Sequence, residues 1–217
     1  MTTPSVNEWA TDAHASAYLS RPDQYRRVEG EATLWELVPE RAARVLDLGT
    51  GDGRLLARVR ERCPFDEGVA LDFSPTMLRA ARARFHGDPA VQVVEHDLDR
   101  PLPDVGRFDV VVSSFAIHHL DDDRKRSLYR EVFARLQPGG LFANLEHVSS
   151  PTQALHEVFY SMIEAGEDPS NKLAPVDVQL EWLRDAGFDD VDCFWKWREL
   201  ALLAGTRPAS QRQSILN

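Results

Sequence analysis

Three glycines alternate with other residues in the segment 47–53, Asp-Leu-Gly-Thr-Gly-Asp-Gly, which continues an apolar run that begins at Val45. Glycine lets the backbone turn sharply and pass close to a bound molecule. After the glycines, Leu55, Leu56 and Val59 recur at helical spacing, so a helix is predicted to start here with free N–H groups facing the ligand. The segment therefore predicts a strand, a ligand-binding loop and a helix in succession.

The spacing of these glycines indicates which ligand the loop accepts. The dinucleotide-binding pattern G-x-G-x-x-G needs a third glycine where this chain has Arg54. The triphosphate-binding pattern G-x-x-x-x-G-K-[ST] does not occur in the sequence. A carboxylate at Asp47 would repel a pyrophosphate but can hold an ammonium group. We therefore expect a ligand that combines a cation with a nucleoside and carries no phosphates.

A second carboxylate, Asp72, ends the next predicted strand, which runs from Val69 to Leu71. Asp72 lies 21 residues after Gly51, about the length of one helix plus one strand, so the two residues are expected to be neighbours in a parallel sheet. An acid at this place can accept hydrogen bonds from both hydroxyl groups of a ribose. The alternative is an acid that only caps a helix, although Ser74 and Pro75 already provide a helix start.

These features resemble the class I S-adenosylmethionine-dependent methyltransferases, whose first motif is an acid followed by G-x-G-x-G. The resemblance covers about Arg44 to His147, continues more weakly to Gly205, and is closest to the small-molecule type of the methyltransferase-domain 11, 12 and 25 families. It implies S-adenosylmethionine as cofactor and S-adenosylhomocysteine as product. The expected cofactor-binding residues, including two candidates to cover the adenine, are Asp47, Gly49, Thr50, Gly51, Asp72, Phe73, Met77, Asp97, Leu98, Ser113 and Ser114.

The resemblance also implies a role for the later residues of this set. Asp97 would accept a hydrogen bond from the adenine amino group, and the backbone N–H of Leu98 would meet a ring nitrogen. The alternative is that Asp97 caps the turn that follows it. Backbone groups near Ser113 and Ser114, after the fourth predicted strand, would contact the methionine part of the cofactor.

Two adjacent histidines follow the fourth strand, and two interpretations of them stay open. His118 or His119 could act in catalysis by taking a proton from an acceptor hydroxyl or amine as the methyl group moves. Alternatively, one of them holds the turn through a backbone hydrogen bond. Glu146 and His147 end the fifth strand and are predicted, together with His119, to face the substrate. No fixed metal-ligand spacing occurs among these residues, so no metal is expected.

The apolar runs and helical patterns, together with the resemblance, predict an α/β fold. It is a Rossmann-like, doubly wound mixed sheet of seven strands in the order 3-2-1-4-5-7-6, with helices on both faces. Residues 41–205 would form the methyltransferase core, with a cap insertion at about 150–175. The loop 166–173 within this insertion is predicted to make variable substrate contacts.

The two ends of the chain are predicted to lie outside this core. Residues 1–40 would form a helical lid over the cofactor's methyl group, as the resemblance implies, and Tyr18, Tyr25 and Arg26 are the candidates in it for substrate contact. The alternative is that its aromatic residues simply pack on the edge of the sheet. Residues 206–217 are predicted to be a disordered polar tail.

The composition limits the class of protein and its partners. Of the 217 residues, 43% are hydrophobic and 28% charged, which is typical of one globular domain with at most a small cap. No apolar run could span a membrane, and the N-terminus lacks a secretory pattern, so a cytoplasmic location is expected. The net charge of −10 argues against nucleic acid as a partner. Cys63 and Cys193 match no metal or redox spacing and are expected to be reduced thiols.

The leading prediction is a methyltransferase that passes the methyl group of S-adenosylmethionine to a small-molecule acceptor by in-line displacement. Two alternatives remain open. The segment Ala186-Gly187-Phe188 before an aromatic strand also resembles the carboxy-S-adenosylmethionine synthases, which modify the bound nucleoside itself. The chain could also be a non-catalytic protein that keeps the fold and binds the cofactor. A small molecule is the expected partner, and a homodimer is one option for the assembly.

Overall fold

The structure is a computed structural model that describes residues 11–19, 27–163 and 166–209. Seven strands form one sheet in the order β3-β2-β1-β4-β5-β7-β6, which confirms the predicted fold and strand order. The strands are β1 Ala42–Leu48, β2 Phe65–Asp72, β3 Val91–Glu95, β4 Phe108–Ser114, β5 Leu136–His147, β6 Asp189–Trp197 and β7 Leu200–Thr206. The helices are α1 Asp12–Leu19, α2 Arg27–Leu37, α3 Arg54–Arg62, α4 Pro75–Arg84, α5 Asp122–Arg135, α6 Gln153–Ile163 and α7 Val176–Ala186.

The sheet is covered on both faces, and each face has its own apolar core. β1 to β5 are mutually parallel, whereas β7 runs antiparallel to β5 and to β6. On one face, α5 and α7 pack against the sheet through residues such as Leu128 and Leu183. On the other face, α2 and α3 do so through residues such as Leu34 and Leu56. Because both faces are covered, the central strands are continuous apolar runs rather than alternating ones.

The topology fixes where a ligand can bind. The strand order reverses between β1 and β4, since the chain places β2 on one side of β1 and β4 on the other. Leu48 at the end of β1 is in register with Leu71 in β2 and with Ser113 in β4, so the carboxyl ends of these strands share one edge of the sheet. In open parallel sheets, ligands bind beyond this edge at the point of reversal.

Several boundaries differ from those predicted, because strand pairing continues past the apolar runs. β5 begins at Leu136 and passes through Gly139, which has a left-handed φ of 81°, instead of starting after the glycines. The predicted disordered tail from 206 is wrong at its start, because Thr206 pairs with Leu141 in the sheet. Arg207 then donates a 2.7 Å hydrogen bond from Nη1 to the carbonyl of Leu136. Residues 210–217 lie outside the described residues.

The N-terminal segment is attached to the core at two places. α1 lies beside α4, where the hydroxyl of Thr76 donates a hydrogen bond to Asp12. α2 contacts β5, β6 and β7, and a Cβ added at Gly30 would lie 2.6 Å from Leu145 Cδ1, so this helix packs closely on the sheet. Of the predicted lid residues, Tyr25 and Arg26 lie outside the described residues, and the structure describes only the backbone of Tyr18.

A buried acid joins α2 to the helix that follows the glycine loop. The carboxylate of Glu31 is fully buried and forms ion pairs with Arg54 and, at 3.4 Å, with Arg58, both on α3. Arg54 is the residue that stands where a dinucleotide-binding loop has its third glycine. These ion pairs thereby connect α2 to the start of α3.

We expect Glu31→Gln to lower the free energy of unfolding by roughly 2 kcal/mol. Breaking a buried ion pair costs about 3–5 kcal/mol, and the value is reduced here because Arg54 and Arg58 are partly exposed and screened by solvent. Urea denaturation would measure the change, with Glu36→Gln on the exposed side of α2 as the matched control. Equal midpoints for the two variants would show that the ion pairs do not support this attachment.

Among the described residues, no helix is both long enough and apolar enough to cross a membrane.

Candidate active site

One cavity lies at the carboxyl edge of the sheet, where the topology predicts it. The three acids singled out from the sequence, Asp47, Asp72 and Asp97, all line this cavity. So do eight other residues that were predicted to bind cofactor or substrate: Gly49, Thr50, Gly51, Phe73, Met77, Leu98, Ser114 and His119. The structure therefore brings together residues that lie up to about 70 positions apart in the sequence.

The glycine loop passes tightly between its neighbours and leaves one side open. Gly49, Gly51 and Gly53 have left-handed φ values of 66°, 57° and 80°, which residues with a side chain rarely adopt. A Cβ added at Gly49 would lie 2.2 Å from the Cβ of Ala116, so only glycine fits there. A Cβ added at Gly51 would meet only Met77 Sδ, at 4.0 Å, so the cavity borders this part of the loop.

Asp47 lies beneath the loop and is fully buried. Its Oδ2 accepts a 2.7 Å hydrogen bond from the hydroxyl of Thr50, whereas Oδ1 has no hydrogen-bond partner among the described residues. Burial raises the pKa of Asp47 to about 7, and the nearby charge of Asp72 adds to this, while the hydrogen bond from Thr50 opposes it. A cationic group of a ligand would stabilise the ionised carboxylate, as expected for a site that holds an ammonium group.

Asp72 links the glycine loop to the start of α4. Its Oδ2 accepts a 2.8 Å hydrogen bond from the N–H of Gly51, and its Oδ1 accepts one of 2.8 Å from the N–H of Ser74. Burial raises the pKa of Asp72, and these backbone N–H groups oppose the rise. Each carboxylate oxygen can accept a second hydrogen bond. Ser74 is the N-cap residue of α4, so Asp72 does not cap this helix but braces the segment that leads into it, and it can still receive hydroxyl groups from the cavity.

Asp97 stabilises the turn that follows β3 by accepting hydrogen bonds from it. Its Oδ1 accepts a 3.0 Å hydrogen bond from the N–H of Asp99, and its carbonyl accepts one of 2.9 Å from the N–H of Arg100. This is the capping role that the sequence left open. Because Asp97 and Leu98 also line the cavity, the turn holds the acid in place beside it.

The two serines that end β4 have different surroundings. Ser114 lines the cavity, and its hydroxyl is buried without a hydrogen-bond partner among the described residues. Ser113 is not among the described residues that line the cavity, and the predicted cofactor contact of its backbone stays a prediction. Its side chain is buried and donates a 2.9 Å hydrogen bond to the carbonyl of Leu48. Ser113 thus fastens β4 to β1 just before the glycine loop.

The cavity wall contains buried polar atoms that are suited to a polar ligand. Four of them, on Asp47, Ser74, His96 and Ser114, have no hydrogen-bond partner among the described residues. Leaving such an atom unsatisfied costs about 1–3 kcal/mol, so such atoms are rare unless a ligand or water completes them. A nucleoside that carries an amino acid offers both donors and acceptors to this wall. The residues present therefore fit S-adenosylmethionine.

Several lining residues were not found from the sequence. They are Arg27, Asp52, Arg54, Leu55, Ser74, His96, Asp99, Phe115, Ala116 and Leu120. The position of Arg54 directly after the last glycine was a usable signal, because the loop must lead into the helix there. Arg27 carried no signal, since its guanidinium reaches the cavity region only because α2 packs on the sheet, where it lies 5.1 Å from the centre of the Phe115 ring.

The two histidines are not equivalent. His119 lines the cavity, whereas His118 is buried behind it, with the ring centres 4.1 Å apart. The Nδ1 atom of His118 lies 2.7 Å from Oε1 of Glu146. Burial lowers the pKa of His118 well below its usual value, and burial together with the neighbouring His118 lowers the pKa of His119 to about 3. His119 is therefore the one of these two histidines that borders the cavity.

Glu146 and His147 are not among the described residues that line the cavity, and their substrate contact stays a prediction. Glu146 is fully buried and accepts hydrogen bonds from Asn144 Nδ2 at 3.0 Å and from the N–H of His147 at 2.9 Å. The Nε2 atom of His147 lies 3.0 Å from Glu199, which also lies 2.9 Å from Nδ1 of His156. Sequence reasoning missed this cluster, because only the antiparallel pairing of β5 with β7 brings these residues together.

No group of histidine, cysteine, aspartate and glutamate side chains within the described parts of the chain could hold a metal ion. This finding covers the glutamates and histidines at the ends of β5 and β7 as well.

Comparison with known proteins identifies the family. Residues 45–140 match the model of a methyltransferase domain. An uncharacterized methyltransferase of Mycobacterium tuberculosis is 35% identical over 119 residues, which are 55% of this chain and 58% of that protein. A demethylmenaquinone methyltransferase of Roseiflexus castenholzii is 30% identical over an alignment of 179 positions that covers 74% of each protein.

A solved structure supports the same assignment. An O-methyltransferase family protein from Burkholderia thailandensis superposes with a TM-score of 0.73 at 25% identity, over 94% of this chain and 63% of that one. The chain thus spans somewhat less than two thirds of the mycobacterial relative and of this structure. The glycine loop and Asp72 lie within the matched domain, and the sheet order is the one that the resemblance implied. The chain belongs to the class I methyltransferases, which use S-adenosylmethionine as their cofactor.

Proposed function

We propose that this chain transfers a methyl group from S-adenosylmethionine to a small-molecule acceptor by in-line displacement. The observation that carries the proposal is the convergence of Asp47, Asp72 and Asp97 on one cavity that His119 also lines. The three acids suit an adenosyl compound with a positive charge, and His119 suits a neutral polar acceptor.

The residues of the chain would divide the work of binding among them. Asp47 holds the ammonium group of the methionine part, because its buried carboxylate gains most from a cation. Asp72 accepts hydrogen bonds from the ribose hydroxyls, and Asp97 and the N–H of Leu98 meet the adenine. Met77 lies beside Gly51 and Phe73 also lines the cavity, so either can cover one face of the base.

His119 would orient the acceptor. When bound, S-adenosylmethionine supplies a methyl carbon to which the acceptor atom bonds while the electron pair of the broken carbon–sulfur bond stays on sulfur, giving S-adenosylhomocysteine. The lowered pKa of His119 keeps its imidazole neutral at physiological pH, so one ring nitrogen can accept a hydrogen from the acceptor hydroxyl or amine. This contact turns a lone pair of the acceptor atom toward the methyl group and gives its proton a destination.

Three observations favour a small molecule as the acceptor. The name of the Roseiflexus relative, demethylmenaquinone methyltransferase, describes a protein that acts on a quinone. The net charge of this chain is −10, which disfavours nucleic acid. His119 is half-buried in the wall of the cavity, which suits a small acceptor. The cytoplasmic location and the homodimer remain predictions from the sequence.

The experiment that tests the proposal follows the methyl group. Purified protein is incubated with S-adenosylmethionine labelled in the methyl group and with an extract of small metabolites, and mass spectrometry identifies both labelled products and the nucleoside formed. The proposal predicts label in a small molecule and S-adenosylhomocysteine in equal amount. A carboxylated nucleoside would favour the carboxy-S-adenosylmethionine synthase alternative. Tight binding of S-adenosylhomocysteine with no labelled product in any extract would favour the non-catalytic one.

We expect His119→Phe to lower kcat about 100-fold while the Kd of S-adenosylhomocysteine changes less than about threefold. This is the low end of the range for proton-transferring groups, because a pKa near 3 makes the imidazole a weak base. Methyl-transfer kinetics and calorimetric titration would measure the two constants. His86→Phe, at an exposed position after α4, is the control and should behave like the wild type. An unchanged kcat in His119→Phe would remove this histidine from the mechanism.

A further inference from the structure

We infer that Ser170 and Asp168, in the cap insertion, are positioning residues that set the tautomer of His119 and so select acceptors that carry a hydrogen on the reacting atom. This inference rests on the proposed function, in which His119 meets the acceptor. It concerns two residues of the loop 166–173 whose contacts with the histidine turn were not predictable from the sequence.

The hydroxyl of Ser170 donates its hydrogen to Asp168 and so can only accept one from His119. Its Oγ donates a 2.7 Å hydrogen bond to Oδ1 of Asp168, and the N–H of Ser170 donates one of 2.9 Å to the same oxygen. An ionised carboxylate can only accept hydrogen bonds, so the hydroxyl hydrogen of Ser170 is committed to Asp168. The remaining lone pairs of Oγ are acceptors, and His119 Nδ1 lies 3.0 Å from this atom.

Two oxygen atoms of Ser170 lie near the Nδ1 atom of the His119 ring. Besides Oγ, the carbonyl oxygen of Ser170 lies 3.4 Å from His119 Nδ1, and a carbonyl oxygen is also only an acceptor. Both groups near Nδ1 therefore require a hydrogen on this nitrogen. A neutral imidazole carries one N–H, so Nε2 must hold a lone pair. The hydrogen-bond arrangement thus predicts the Nδ1–H tautomer.

The surroundings of His119 favour its neutral state. Burial and the adjacent His118 lower the pKa of His119 to about 3, whereas the charges of Asp168 and Glu146 and the carbonyl of Ser170 oppose the decrease. The imidazole therefore carries a single N–H across the physiological pH range.

The loop is held against the histidine turn by contacts that do not involve a ligand. The N–H of Lys172 donates a 2.8 Å hydrogen bond to the carbonyl of His118. The buried ammonium of Lys125 on α5 donates to the carbonyl of Lys172, and the ammonium of Lys172 lies 3.1 Å from Asp121. Because Lys172 makes all of these contacts and lies only two residues after Ser170, the position of Ser170 beside His119 is set before any acceptor binds.

A lone pair at Nε2 determines which acceptors the site can orient. An alcohol, a phenol or an amine with an N–H can donate its hydrogen to Nε2 and keep a lone pair for the methyl group. A tertiary amine or a thioether has no hydrogen to donate, so it would gain nothing from His119. The inferred substrate class is therefore a neutral protic acceptor.

The test reads the tautomer directly, without an acceptor. The full chain is labelled with ¹⁵N in its seven histidines, and long-range ¹H–¹⁵N spectra are recorded with and without S-adenosylhomocysteine. The signals that disappear in His119→Phe identify this ring. We expect the Nδ1–H tautomer in the wild type. In Ser170→Ala the Nδ1–H share should fall measurably, because only the more distant carbonyl at 3.4 Å remains as an acceptor for Nδ1, whereas Ser170→Thr, which keeps the hydroxyl, should restore it.

Matched controls and kinetics complete the test. Ser161→Ala, which removes an exposed hydroxyl on α6, should leave the His119 signals unchanged. Ser170→Ala should lower kcat about tenfold for a protic acceptor with the Kd of S-adenosylhomocysteine unchanged, and Ser170→Thr should recover the rate. An Nε2–H tautomer in the wild type would overturn the inference, as would an unchanged spectrum in Ser170→Ala. Failure of the proposed function would appear separately, as absence of S-adenosylhomocysteine binding or of methyl transfer.

Discussion

Asp72→Ala is expected to weaken the binding of S-adenosylhomocysteine by roughly 10²- to 10⁴-fold. A hydrogen bond to a charged group contributes about 1.5–3 kcal/mol, and the proposed role of Asp72 includes two such bonds to the ribose hydroxyls. Since about 1.4 kcal/mol corresponds to a factor of ten, their loss gives the range stated. Isothermal titration calorimetry at pH 7.5 would measure the two dissociation constants.

Asp72 also accepts hydrogen bonds from Gly51 and Ser74, so Asp72→Ala could weaken binding by disturbing the glycine loop. Two controls separate this effect from the loss of a ligand contact. The control variant is Glu95→Ala, which removes an exposed carboxylate at the position in β3 that pairs with Asp72. A 2′-deoxyribose analogue of S-adenosylhomocysteine provides the second control. It should bind the wild type more weakly than the parent compound but should lose less affinity in Asp72→Ala. Equal losses for both compounds would show that Asp72 supports the loop and does not contact the 2′-hydroxyl.

Asp47→Asn is expected to have opposite effects on stability and on binding. The pKa of Asp47 is raised to about 7 in the folded protein, mainly by burial, against about 3.9 in an unfolded chain. Between these two values the folded state keeps a proton that the unfolded state has lost, so the free energy of unfolding decreases as the pH rises. The decrease amounts to roughly 4 kcal/mol and is complete above about pH 8.

The ligand-free Asp47→Asn variant should therefore lose less stability than the wild type between pH 5 and pH 8, where asparagine carries no titrating group. At pH 8 its affinity for S-adenosylhomocysteine should fall by roughly 30- to 3,000-fold, since removing one partner of a buried charge pair costs about 2–5 kcal/mol. Urea denaturation at several pH values and calorimetry would measure the two effects. Asp66→Asn, an exposed acid on β2, is the matched control. Parallel pH profiles for wild type and Asp47→Asn would contradict the raised pKa.

The same linkage predicts the pH dependence of cofactor binding in the wild type. Because a cationic ligand favours the ionised carboxylate of Asp47, binding below about pH 7 must release a proton. The affinity for S-adenosylhomocysteine should therefore rise as the pH increases from 5 to 8. The rise should be absent in Asp47→Asn.

Predictions from the sequence succeeded where a local pattern and the order of strands were sufficient. Asp47, Asp72 and Asp97 each end a strand or follow one closely, and the carboxyl ends of parallel strands meet at one edge of the sheet. Their convergence therefore follows from the alternation of strands and helices alone. Glycine spacing and an acid where a phosphate would be repelled predicted a cationic nucleoside as the ligand, and the family resemblance implied that this ligand is S-adenosylmethionine.

The sequence left open which partners the side chains at the ends of the strands would take. Ser113, Glu146 and His147 were placed at the active-site ends of their strands, and they do lie there. Their side-chain partners come from other strands and from the histidine turn, and the pattern of a single strand does not specify these partners. Ser113 bonds to β1, and Glu146 lies under His118.

The sequence by itself determined the cofactor class, the sheet that carries it and the acids that surround it, because these depend on periodicity and on short motifs. Only the tertiary structure decided which histidine faces the cavity and what holds it. His119 and Ser170 are 51 residues apart, and no period or motif connects them. Their contact arises because the loop 166–173 returns to the histidine turn, where hydrogen bonds and a buried lysine hold it. Such contacts depend on the position of the backbone in space, which local sequence patterns do not encode.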